Sequence, residues 1–220
     1  MNKLVKLCMV IILILSGGFT MVFDSIFKGL ILIIFCIVGL FVVEQRQVNR
    51  TIDYLEPLLF RCGRVAYVAS ALVLLKKSLL FQQQLKNKLA YIEIGYFNVI
   101  GDFEKALIYS ESYKKLSGAD KVLVERERTY AQLKLGQNCQ QEFHFEGLRG
   151  QLIKSLQMIA CGQSHHAIHA LEDLRGQEAG NVIFKEVNEL LANLLVDELP
   201  EEAAYYQLIA ESFELEKESE

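Results

Sequence analysis

Tryptophan is absent from the 220 residues, and only two prolines occur, Pro57 and Pro200. Alternating runs of β-branched residues, which are typical of half-buried strands, are also missing. Proline, the strongest helix breaker, is therefore rare, and strand patterns are absent. The sequence predicts an all-α fold.

Several classes of functional site are missing as well. The five cysteines contain no CxxC pair, so they predict reduced thiols in a cytosolic setting rather than a disulfide framework. The sequence has no dense basic stripe with interleaved aromatics, so we do not expect nucleic-acid binding. No Ser/His/Asp or Cys/His set is evident, so we expect neither an enzyme nor a cofactor. Residues 147–150 (GLRG) predict a helix connection, and residues 125–128 (ERER) predict a solvated charged face.

Two uncharged apolar stretches dominate the N-terminus, residues 7–23 and 29–43. A membrane span needs roughly 20 apolar residues. Residues 4–23 and 25–43 reach that length if Lys6 and Lys28 extend their ammonium groups to the lipid headgroups. The sequence therefore predicts a two-helix transmembrane hairpin over residues 1–44, with Asp24-Ser25 at its tip and membrane lipid around it.

The basic residues at both ends of this hairpin predict its orientation. Lys3 and Lys6 precede the first span, and Arg46 and Arg50 follow the second. Positive flanks favour the cytoplasm, so we expect a multi-pass protein of a cell membrane, such as a bacterial inner membrane, with both termini cytoplasmic. One alternative is a signal peptide ending near Ser16-Gly17-Gly18, which leaves one span and an exported domain. Another is a buried helical pair of a soluble protein.

The remaining chain shows helical periodicity that is interrupted by short turns between helices, here called corners. Apolar residues recur every three to four positions, and glycines or a proline separate the periodic stretches. We expect a helical domain over residues 45–216 and an acidic tail at 217–220. The predicted helix pairs are 46–61 with 65–82, 86–100 with 103–116, 119–135 with 138–148, 150–161 with 164–176, and 181–198 with 201–216.

Residues 89–116 (LAYIEIGYFNVIGDFEKALIYSESYKKL) resemble a tetratricopeptide repeat. Gly101 to Ala106 is similar to the turn and second-helix start of that family, and Gly162 to Ala167 repeats the spacing. Ile94 and Tyr113 stand where the family has small residues, so the resemblance is to a degenerate repeat. It implies an α-solenoid of stacked helix pairs.

The resemblance also implies a binding surface. First helices of tetratricopeptide repeats line a groove that holds a segment of a protein partner. On this chain the corresponding candidates are Tyr91, Phe97, Asn98, Tyr130 and Lys134.

One cluster of metal-ligand residue types follows Gly162. His165 and His169 are four residues apart, so on a helix they share a face and are candidate metal ligands. Two surface histidines on a repeat helix are the simpler interpretation.

These patterns favour a membrane-anchored helical-repeat adaptor or scaffold that binds an unidentified protein partner at the cytoplasmic membrane face. The first alternative is a structural subunit of a larger membrane complex, held by the hairpin. The second is a metal-dependent activity at His165 and His169.

Overall fold

A computed structural model describes residues 9–18, 26–113, 116, 118–137, 145–177 and 181–213. Within these ranges the chain is all helical and contains no strand, which confirms the predicted fold class. The described residues form ten helices: α1 (Met9–Gly18), α2 (Ile26–Phe60), α3 (Val65–Ser78), α4 (Gln82–Val99), α5 (Phe103–Glu111), α6 (Gly118–Lys134), α7 (Gly147–Ala160), α8 (Ser164–Arg175), α9 (Asn181–Leu195) and α10 (Pro200–Glu211).

The observed helices differ most from the predicted ones at two places. The predicted helix at 46–61 is the C-terminal part of a single helix, α2, because no glycine or proline interrupts the chain between Gly39 and Pro57. Most of the predicted helix at 138–148 lies outside the described residues. Glu146 has an extended backbone there, and α7 begins only at Gly147. The acidic tail and most of the first predicted span, apart from 9–18, also lie outside the described residues.

Glycines with a positive φ end several helices. Gly101, Gly136 and Gly162 have φ values of 82°, 69° and 73°, in the left-handed region that side chains with a Cβ rarely adopt. Each closes its helix with the same pair of backbone bonds. At Gly101, the N–H of Gly101 donates to the Asn98 carbonyl, and the N–H of Asp102 donates to the Phe97 carbonyl. This arrangement is the Schellman motif.

The small residues that follow two of these corners are fully buried. Ala106 and Ala167 each lie five residues after such a glycine, and both have an exposed fraction of 0%. Each alanine N–H donates to the carbonyl four residues earlier, at Asp102 and Gln163 respectively. The two corners are therefore alike in both backbone bonding and burial.

Helix α2 contains the one stretch in the described residues that is long and apolar enough to cross a membrane. This stretch, Lys28–Phe60, has a mean hydropathy of 2.1 in its most apolar window, and only 17% of that window is buried. Its exposed apolar side chains include Leu30, Ile34, Phe35, Val38 and Val43.

The chain divides into two compact units, and the first comprises residues 1–53 and 70–89. In this unit α1 and α2 approach closely at Gly17, because a Cβ there would lie 2.6 Å from Cγ1 of Ile33. The carboxylate of Glu44, which is 1% exposed, accepts backbone N–H bonds of 2.9 to 3.0 Å from Leu80 and Phe81. Glu44 thus satisfies donors just before α4, where the helix itself offers no acceptor.

The second unit comprises residues 54–69 and 90–220. In its described part each helix from α5 to α10 packs against the next along the chain, and α7 also contacts α9. The central apolar cluster draws on α6 to α10: Tyr130, Leu152, Ile153, Leu156, Leu171, Leu174, Ile183, Val187, Leu191, Ala192, Leu195, Ala203 and Tyr206.

Gly95 provides a test of packing in the second unit. A Cβ at this position would lie 2.3 Å from Cζ of Phe60, whose side chain is buried. We expect Gly95→Ala to lower the free energy of unfolding by about 1–3 kcal/mol, because the ring has to shift. Chemical denaturation of the detergent-solubilised protein measures this change.

The matched control is Gly176→Ala. Gly176 has a φ of −67°, and its new Cβ would meet carbonyl oxygens only at 3.5 and 3.8 Å. We expect no loss of stability there. Equal destabilisation by both substitutions would contradict the close contact at Gly95.

Candidate functional site: a buried charged network beside a cavity

A cluster of buried charged residues lies in the second unit. Arg126 and Glu127 on α6 have exposed fractions of 9% and 0%, and Arg149 on α7 has 5%. The interpretation of 125–128 as a solvated face is therefore wrong for its two central residues. Consecutive residues on a helix are about 100° apart, so an inward-facing pair can be flanked by Glu125 and Arg128, which stay partly exposed.

The Glu127 carboxylate is the centre of this cluster. It accepts a hydrogen bond of 3.0 Å from Nε of Arg126 and one of 3.2 Å from Nη2 of Arg149. The side-chain amide of Asn98 on α4 donates to both the carboxylate (3.1 Å) and the backbone carbonyl (2.9 Å) of Glu127. A fully buried carboxylate thus has three donor side chains, as burial of a charge requires.

Arg149 links this carboxylate to a second one on α9. Its Nη1 lies 3.6 Å from Oε2 of Glu186, and its guanidinium lies 3.6 Å from the centre of the Tyr130 ring. Glu186 also accepts a hydrogen bond of 2.5 Å from the Tyr130 hydroxyl and pairs with Lys134 at 3.2 Å. Polar and charged side chains of α4, α6, α7 and α9 are therefore joined in one network.

The network fixes the protonation of its members near neutral pH. Burial opposes ionisation of Glu127, but attraction to Arg149 and Arg126 outweighs it and holds the pKa of this carboxyl below its ordinary value of 4.5. Burial also disfavours charge on Arg149, yet Glu127, Tyr130 and Glu186 raise the pKa of its guanidinium. Burial and Glu186 raise the pKa of Tyr130 well above 10, so its hydroxyl remains a donor.

Two cavities adjoin this network, and Arg149 lines both. The larger one has a volume of about 450 Å³. It is lined by Glu56, Pro57, Phe60, Arg61, Arg126, Glu146, Gly147, Leu148, Arg149 and Ile183. The smaller one, of about 150 Å³, is lined mainly by residues of α4, α6 and α9.

The smaller cavity brings together three of the five predicted partner-binding residues. Asn98, Tyr130 and Lys134 all line it. Tyr91 is buried elsewhere, where its hydroxyl donates to Glu56 at 3.0 Å. Phe97 is half-buried with its ring 5.8 Å from that of Tyr109.

The predicted metal ligands lie on a different surface. His165 and His169 are exposed on α8, and His169 Nδ1 lies 3.7 Å from a carboxylate oxygen of Glu172. In the part of the chain that the structure describes, no three His, Cys, Asp or Glu side chains form a group that can hold a metal ion.

Residues 147–150 also differ from the prediction of a helix connection. They form the first turn of α7, with Gly147 at a φ of 77°. Gly150 is required because a Cβ there would lie 2.2 Å from the Phe145 carbonyl oxygen. The two glycines thus place Arg149 at the network.

Sequence reasoning missed Arg126, Glu127, Arg149 and Glu186. One pattern pointed to Glu127, since it lies three residues after Val124 and four before Ala131, both of them buried. A charged residue on an apolar helix face is informative, because it needs partners inside the fold.

Comparisons with known proteins identify no relative of this chain. No protein-family model matches the chain, and no curated protein or solved structure matches it either.

We expect Glu127→Gln to lower the free energy of unfolding by about 3–5 kcal/mol, because it leaves Arg126 and Arg149 without their shared counter-charge. The control is Glu125→Gln on the same helix, where the ion pair with Arg128 is partly exposed and spans 3.7 Å. That change is expected to cost about 0–1 kcal/mol. Similar losses in both variants, measured by denaturant unfolding, would show that the buried network is not a special source of stability.

The lowered pKa of Glu127 predicts acid sensitivity. Its stabilising contribution is complete above the ordinary value of 4.5 and is lost as the pH falls through the lower folded-state pKa. The stability difference between wild type and Glu127→Gln should therefore shrink as the pH is lowered below 4.5. A difference that is constant with pH would contradict an ionised Glu127.

Proposed function

We propose that this protein is a membrane-anchored helical-repeat adaptor that binds a protein partner at the cytoplasmic face of the membrane. The observation that carries the proposal is the composition of α2. Its first half exposes a long apolar surface, whereas Leu55 and Leu59 near its end are buried in the second unit. One helix thus contributes to both an apolar anchor and a folded domain.

Exposure of this apolar surface to water would be costly. Leu30, Ile34, Phe35, Val38 and Val43 are each between 49% and 70% exposed. Burial of such a side chain contributes about 1.5–3 kcal/mol. A lipid environment removes this cost, which supports a membrane position for the first half of α2.

The contact between α1 and α2 supports the hairpin form of the anchor. Gly17 and Gly29 are both buried, and a Cβ on Gly17 would lie 3.4 Å from the Gly29 carbonyl oxygen. Small residues at such positions let membrane helices approach closely. The basic residues before α1 and after the apolar part of α2 favour cytoplasmic placement of both ends.

The recurring corners support the tetratricopeptide-like repeat. Gly101, Gly136 and Gly162 share one Schellman geometry, and Ala106 and Ala167 are equivalently buried. Successive packing of α5 to α10 is what stacked helix pairs produce. A preformed helical surface lowers the ordering cost of binding a partner segment. Half-buried Phe97 and Lys134 are the most accessible of the proposed contact residues.

The anchor is tested by adding charge to α2. We expect the full-length protein to stay in the membrane fraction after carbonate extraction, and we expect the double variant Phe35→Arg/Val38→Arg to be released or degraded. An arginine at the centre of a spanning helix costs roughly 2.5–3.5 kcal/mol.

The matched control is Val73→Arg/Leu74→Arg on α3, whose side chains are 50% and 68% exposed. It should leave membrane association unchanged. A wild-type protein that is extracted by carbonate, or a control that is released equally, would contradict the anchor. Reporter fusions after Arg50 and at Glu220 should both report the cytoplasm, and an external signal from either would contradict the orientation.

The adaptor function is tested by co-purification with the full chain after in-cell crosslinking. Lys134→Glu should reduce recovery of a specific partner, whereas Lys105→Glu, whose side chain is 66% exposed, should not. If the partner is lost with Phe35→Arg/Val38→Arg but retained with Lys134→Glu, the result would instead favour a structural subunit held in a membrane complex by its hairpin.

A further inference from the structure

The larger cavity has the size and lining of a small-molecule site. Its volume of about 450 Å³ lies within the range of about 300–1,000 Å³ typical of ligand pockets. Four apolar residues contribute to its wall, Pro57, Phe60, Leu148 and Ile183. The remaining lining residues are mostly charged, so a ligand there needs both an apolar part and a polar group.

Two buried arginines at this cavity retain donors without acceptors. In the described part of the chain, neither Nε of Arg149 nor Nη2 of Arg126 has a hydrogen-bond partner. The carboxylate of Glu56 lies 3.8 Å from this Arg126 nitrogen, which is beyond hydrogen-bonding distance. A buried donor without an acceptor is destabilising, and a ligand oxygen would relieve that penalty.

The start of α7 adds further donors. Glu146, Gly147 and Leu148 line the cavity, and Glu146 makes no side-chain cap bond to the 14-residue helix. N–H groups in the first turn of a helix have no acceptor within the helix, and the helix dipole makes this end favourable for anions. The helix start and the two arginines therefore favour the same kind of ligand.

The charges around the cavity select among anions. Arg61, Arg126 and Arg149 line it, opposed by Glu56 and Glu146. Arg126 and Arg149 are also paired with Glu127 and Glu186, and Glu186 with Lys134. The four cations and four carboxylates therefore balance, and a site without excess positive charge suits a monoanion better than a phosphate dianion. We infer that the cavity binds a carboxylate carrying a small apolar group, with its oxygens on Arg126, Arg149 and the first turn of α7.

The carboxylate can come from a free small acid or from the C-terminus of a peptide. The shared chemistry is a planar monoanion with an apolar neighbour, since arginine donors match carboxylate oxygens. The site depends on residues of the second unit alone and does not require the adaptor role.

The test uses the full-length protein in lipid nanodiscs and ¹³C-labelled butyrate, with binding followed by ligand-observed NMR. Butyrate should bind saturably. Butyramide, which has the same shape but no charge, should not compete, and inorganic phosphate should compete more weakly than unlabelled butyrate. Competition by butyramide, or phosphate binding tighter than butyrate, would overturn the assignment.

Variants at the cavity separate binding from folding. Arg126→Gln should weaken butyrate binding by roughly tenfold or more, because it removes a charged donor. Arg61 and Glu146 are exposed, so Arg61→Gln and Glu146→Gln should leave the melting temperature unchanged while shifting the affinity in opposite directions, down and up. Arg128→Gln, which lies outside the cavity, should have no effect.

A final comparison distinguishes the sources of the carboxylate. Short peptides ending in leucine are tested with a free and an amidated C-terminus. Preference for the free peptide over butyrate identifies a peptide ligand, and binding of butyrate alone identifies a small acid. No saturable binding of either, or affinities that are identical in wild type and all cavity variants, would overturn the site.

Discussion

The second unit depends on the burial of one carboxylate, that of Glu127. Its exposed fraction is 0%, so the charge is tolerated only because Arg126, Arg149 and Asn98 surround it. Removal of a charge from water costs several kcal/mol, and only close, well-directed partners offset this cost. Because the partners of Glu127 lie on α4, α6 and α7, these three helices must pack so that their side chains meet at its carboxylate. Arg149 also pairs with Glu186, which adds α9 to the helices held in this way.

This constraint also explains the environment of the larger cavity. The guanidinium carbon of Arg149 lies 3.6 Å from the centre of the Tyr130 ring and 5.4 Å from that of Phe60, while Glu127 and Glu186 interact with its terminal nitrogens. Nε of Arg149 has no hydrogen-bond acceptor among the described residues. Arg126 likewise donates from Nε to Glu127, whereas its Nη2 has no acceptor there. Donors that the network does not use are therefore the ones offered to a ligand.

Much of the secondary structure was predictable from local patterns. Helical periodicity gave α4 to within four residues at its start and α8 to within one, and glycine marked the corners at Gly101 and Gly162 because only glycine adopts their positive φ readily. The network was not predictable. Asn98, Arg126, Arg149 and Glu186 lie far apart in the sequence, and a charged residue by itself does not reveal whether it faces water or a buried partner.

A double-mutant cycle between Glu127 and Arg149 tests the central claim most directly. The measured quantity is the free energy of unfolding of wild type, Glu127→Gln, Arg149→Gln and the double variant. If the two residues stabilise the fold as a pair, the double variant loses less stability than the sum of the single losses, with a coupling energy of about 1–3 kcal/mol. Additive losses would contradict a fold that depends on this interaction.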